Sequence, residues 1–190
     1  MEIRGGTPTR QVLVQMWLDE LPAEDLEGLV EVVIVTRQKD LPKGFIYAPA
    51  KEMFYNASKM LCMGCYWSER KSILVTPDVK KYVLYHEIGH HVNYRNVVLH
   101  WKVSDILKKE SNRIGTRNYG SMWIVSGCSG LRSYSFYNTS EFLADSYAVT
   151  NCGTSEMKME LEEYWKRIAP ESPPLDVLTS RRNHDLQGTR

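Results

Sequence analysis

Apolar residues fall along the chain in short runs of two periods, and together these predict an α+β fold. In TRQVLVQMWLDEL, residues 9–21, Val12 with Met16 and Leu13 with Trp17 and Leu21 recur at helical spacing, and Pro22 is a stop signal. LVEVVIVT (29–36) and GFIYAPA (44–50) are rich in branched or aromatic residues and predict strands. The clearest strand is KSILVTP (71–77), which runs into a Pro-Asp turn where Asp78 is expected to cap a helix over 78–94. Further helices are predicted over 98–110, VLHWKVSDILKKE, and over SEFLADSYAV (140–149). A last one, SEMKMELEEYWKRIA, repeats apolar positions at Met159, Leu161, Tyr164, Trp165 and Ile168, an amphipathic stripe. Residues 51–61 have no decisive period and are read as helical or irregular.

Between the predicted helices over 98–110 and 140–149 lie residues 111–137, heavy in Gly, Ser, Asn and Tyr, with one strand-like run, SMWIV (121–125). A connection this long inside a compact domain is either disordered or functional, and its aromatic content favours function. The expected organisation is one domain over 1–170, made of a sheet lobe (1–95) and a helical lobe (96–170) with a cleft between them. The proline-bearing segment 171–190 is expected to be a loosely ordered tail. If KSILV is the edge of the sheet, an extended chain can add to it as a further strand.

Composition narrows the function. With 43% hydrophobic and 25% charged residues the chain belongs with globular proteins, large enough at 190 residues to bury a core without a structural metal. A net charge of +1 gives no electrostatic case for nucleic acid. No stretch reaches the roughly 18 apolar residues of a membrane span, and the first residues mix acids and bases without a signal-peptide core. A cytoplasmic monomer, bound to neither nucleic acid nor membrane, is expected.

The candidate chemistry sits in VLYHEIGHHVNY, residues 83–94. A helix turns about 100° per residue, so His86 and His90, four apart, can aim two imidazole nitrogens at one point. Glu87 lies one step round, placed to hold a water on a metal rather than to ligate it, the arrangement of the HExxH signature. Val83, Leu84, Ile88 and Val92 make the helix look buried, and two histidines and a carboxylate in such a place need a partner to offset their desolvation. Catalytic zinc takes a third protein ligand and leaves one position for water. His91 points about 100° away from His90, His100 and His184 are distant, and a metzincin would carry histidine where Asn96 stands. The acidic pair of NTSEFLADSYAV remains: Glu141 as ligand, with Asp145 one turn on accepting the outer N–H of a ligand histidine. The competing reading makes Asn138 and Glu141 a helix cap and turns Asp145 to solvent.

HEIGHHV followed by SYSFYNTSEFLADSYAV resembles the catalytic domain of anthrax lethal factor and the Pro-Pro endopeptidases, in the gluzincin clan of zinc metallopeptidases. The resemblance covers roughly residues 78–150, and a second, looser one is to the ImmA/IrrE type of metallopeptidase. It implies a zincin-like fold of two lobes and Zn2+ held by His86, His90 and Glu141. It further implies Glu87 as general base, Asp145 behind a ligand, and Tyr134, seven residues before Glu141, as donor to the oxyanion. A tyrosine there makes chemical sense because water attack on an amide creates a negative oxygen, although Tyr137 and Tyr119 are close rivals. The implied substrate is a protein or peptide. The family's members are exported and residues 1–77 carry none of its motifs, so a specific substrate does not follow. The alternative is a zinc-binding recognition module without turnover. CMGC, Cys62 to Cys65, lacks a second close cysteine pair and is read as ordinary half-buried thiols rather than a zinc knuckle.

Overall fold

A computed structural model describes residues 1–116, 122, 126–129, 131 and 133–170. Tyr119, His184, most of the SMWIV run and the whole 171–190 segment lie outside the described residues. The chain is α+β, with small sheets and six α-helices among the described residues, and divides into two compact units, Met1–Tyr94 and Arg95–Arg190.

The first unit is built on a four-stranded mixed sheet in the order β1-β2-β7-β6. β1 (Glu2–Gly5), β2 (Glu31–Ile34) and β7 (Ser72–Val75) run parallel, and β6 (Gly64–Trp67) is antiparallel to β7. Every residue of β7 is buried, as are Val32, Val33 and Ile34 of β2. Strands covered on both faces read as unbroken branched runs, which is why these two were visible in the sequence. The same fact corrects the edge: KSILV is central, between β2 and β6, and the edge beside it is β6.

α1 (Pro8–Asp19) crosses from β1 towards β2, followed by the short α2 (Ala23–Leu26). Thr7 caps α1 by accepting from the Arg10 amide, with Pro8 at the first helical position. Its buried stripe is Val14 and Leu18, so Val12 and Met16, at 60% and 59% exposure, face out despite their helical spacing. Residues 51–61 are neither helix nor irregular throughout. They hold β4 (Met53–Tyr55) and the start of β5 (Leu61–Cys62), which with β3 (Ile46–Ala48) form a small antiparallel sheet. Phe45 and Phe54 join Val33, Val35 and Leu74 in one apolar cluster, and Cys62 and Cys65 pack partly buried against it.

After β7 a turn through Thr76 and Val79 leads to α3 (Lys81–Tyr94), which starts three residues later than the Asp78 cap predicted. In the second unit α4 (Val97–Arg113) is capped by Asn96, α5 (Thr139–Cys152) by Asn138 and α6 (Ser155–Ile168) by Thr154. Phe142 of α5 packs on Trp165 and Tyr164 of α6, with ring centroids 5.4 and 6.1 Å apart. Leu161 completes the buried stripe of α6, whereas Met159 is 61% exposed and is not part of it. No described helix is long and apolar enough to cross a membrane.

Candidate metal centre

α3 is buried around most of its circumference, from Leu84 to Gly89 and again from His91 to Asn93. Its polar triplet therefore lies in a water-poor setting, where each group needs a specific partner. Two faces of the helix answer that need differently. On one, the Nε2 atoms of His86 and His90 converge to 3.1 Å, with the rings edge to face at 4.7 Å. Without an ion this is a ring-to-ring hydrogen bond; two nitrogens bound at about 2.0–2.1 Å to a tetrahedral ion would stand about 3.3 Å apart, a similar spacing.

On the adjacent face Glu87 turns to the sheet. Its Oε2 accepts the backbone N–H of Tyr66 at 2.7 Å. This approach requires glycine at position 64: a Cβ there would lie 2.7 Å from Glu87 Oε1 and 2.8 Å from Val83 Cγ1. His91, also on this face, has Nε2 3.0 Å from the Glu27 carbonyl and Nδ1 3.1 Å from the Tyr66 hydroxyl. Two residues before Glu87, Tyr85 donates its hydroxyl to the Trp17 carbonyl of α1 at 2.6 Å.

Glu141 and Asp145 both lie on α5. Asn138 accepts the Glu141 amide at 3.0 Å, so the cap predicted as an alternative does form. The cap takes the backbone N–H of Glu141, whose half-buried carboxylate lies in the first turn of α5, the positive end of the helix dipole. Asp145 does not face solvent. It is fully buried and accepts a hydrogen bond from the Ser135 hydroxyl. That bond docks the 3-10 turn Ser133–Phe136 on α5, helped by Phe136 against Phe142 at 5.4 Å. With Ser135 and Phe136 turned inward, Tyr134 turns outward, 41% exposed and stacked on Tyr137 at 5.9 Å.

One nitrogen each from His86 and His90 and one carboxylate oxygen of Glu141 lie within 4.8 Å of one another, the one such group of three among the described residues. Two imidazoles and a carboxylate could hold a metal ion. They fit catalytic zinc in number and kind, though the same donors accept other divalent ions. His100 is half-buried on α4 and is not in the group. Tyr66, Gly64 and the role of His91 were not visible in the sequence: the GCYW strand has neither alternation nor a run of branched residues, and His91 reads only as a ligand pointing the wrong way. No family model and no curated protein matches the chain significantly.

Proposed function

We propose that the chain is a zinc-dependent endopeptidase of gluzincin type, zincin-like in fold, resembling the anthrax lethal factor catalytic domain and the Pro-Pro endopeptidases. The observation that carries the reading is the group formed by His86, His90 and Glu141, next to a carboxylate, Glu87, that is not part of it. Zinc bound there would polarise the scissile carbonyl and make a water acidic enough to attack it. Glu87 takes the proton of that attacking water and delivers it to the departing amine. Tyr134 donates its hydroxyl to the oxygen that becomes negative, and Asp145 holds the turn that carries Tyr134 through Ser135.

The test is digestion of a peptide library by the purified protein, with and without chelator, after elemental analysis. Zinc near one equivalent and cleavage that chelation stops and zinc restores is the expected result. Bound zinc with no cleavage of any library member would move the protein to the competing class, a recognition module. Absence of any bound or bindable divalent metal would remove both.

A further inference from the structure

We infer that Tyr66, backed by His91, is a positioning residue that fixes the carboxylate of Glu87; its kinetic consequence rests on the peptidase reading above. α3 carries two pairs of polar residues four apart. His86 and His90 make the first. Glu87 and His91 make the second, rotated about 100° round the axis and aimed at the edge strand β6. Both members of the second pair meet the same residue. Glu87 takes the backbone N–H of Tyr66 at 2.7 Å, and His91 takes its side chain at 3.1 Å.

The proton positions follow from the chemistry of the partners. A carbonyl can only accept, so His91 Nε2, 3.0 Å from the Glu27 carbonyl, carries the ring proton. With one ring proton, placed on Nε2 by that carbonyl, Nδ1 is the acceptor and the Tyr66 hydroxyl donates to it. The rings stand edge to face at 5.4 Å, and His91 is fully buried, so no water competes for these bonds.

The result is a closed loop from Glu87 to the Tyr66 amide, through the Tyr66 side chain to His91, and back along one turn of helix. Without the loop, an outward-facing amide on an edge strand would be a poor anchor, because edges fray. Gly64 keeps the approach open. A general base must lie within hydrogen-bond reach of the group it deprotonates and be held to within about half an ångström of that position, which is what such a loop provides.

Tyr66→Phe removes one oxygen and keeps the ring, so the fold should persist. We expect kcat on a peptide found in the library digest to fall about tenfold while KM and zinc content stay at wild-type values, the size of one lost supporting hydrogen bond. Hydrogen exchange of the amide at position 66 should speed up by about tenfold as Glu87 loosens. Gly64→Ala, which puts a methyl against the Glu87 carboxylate, should move both readouts the same way. Wild-type kcat and wild-type exchange in Tyr66→Phe would overturn the inference, and so would a fall in activity that tracks lost zinc. Should the wild type with zinc bound cleave no peptide, the peptidase reading fails and exchange alone decides: faster exchange in both variants upholds the brace, unchanged exchange overturns it.

Discussion

α3 and α5 are both 14 residues long and both buried on nearly every side, yet they hold their acidic residues in opposite ways. Glu87 sits in the middle of α3, and its position is set by tertiary contacts, the amide of β6 and the close approach of Gly64. Glu141 sits in the first turn of α5, and its position is set locally, by the Asn138 cap on its own amide. A carboxylate held by distant backbone is aimed at one point, as a base must be. One in the first turn of a capped helix sits where the helix dipole favours a negative group, as suits a ligand for a cation.

The largest expected effect breaks or keeps that division of labour. Glu87→Gln should leave zinc bound and lower kcat by roughly 10³-fold, within the range of losing a general base. Glu141→Gln should instead lose zinc on dialysis, because two imidazoles alone make an incomplete set. Elemental analysis and peptide kinetics on the two proteins together check both. The reverse pattern, zinc lost with Glu87 and kept without Glu141, would exchange the roles of the two helices.

A smaller effect tests the turn that α5 supports. Tyr134→Phe should lower kcat by roughly 10²-fold, the lower end for an oxyanion donor. Its ring is exposed and stacked on Tyr137 at an interplanar angle of 9°, so the melting temperature should not change. Tyr137→Phe should leave kcat within about twofold, since removing a hydroxyl the reaction does not use costs little transition-state energy. If Tyr137→Phe carries the loss and Tyr134→Phe does not, the outward and inward pattern of the turn has been assigned to the wrong tyrosine.

The same contrast explains what the sequence made legible. His86, Glu87 and His90 stand on one helix, and their relation depends only on its pitch, so it can be read from spacing. The apolar runs of β2 and β7 were legible because burial on both faces removes polar residues from a strand. That same absence of alternation fits the central position KSILV takes in the sheet, against the edge on which strand addition to it was made conditional. β6 was not legible because Gly64 is required by Glu87, 23 positions later in the chain, and no local pattern announces that. Val12, Met16 and Met159 failed for a simpler reason. Helical spacing names candidate stripes, and only packing decides which stripe is covered.

The smallest effect separates two ion pairs, one in each unit, that have the same chemistry and different range. Glu31 of β2 bonds Arg4 of β1, 27 residues away, whereas Glu110 bonds Arg113 within one turn of α4. In each case the arginine hydrogen bond holds the carboxylate below its ordinary value of 4.5, against the opposing pull of burial. A depressed folded-state value means that the unfolded chain binds the proton more readily. Each pair therefore stabilises the fold above pH 4.5, and that contribution is lost as pH falls below it through the lower folded value. The local pair can persist in residual helix of the unfolded chain, which shrinks the difference between the two states. The cross-strand pair cannot. Urea unfolding of metal-free protein from neutral pH to below 4.5 should thus lose more of its acid sensitivity in Glu31→Gln than in Glu110→Gln. Equal losses would mean that the α4 pair is as fully broken on unfolding as the one between strands.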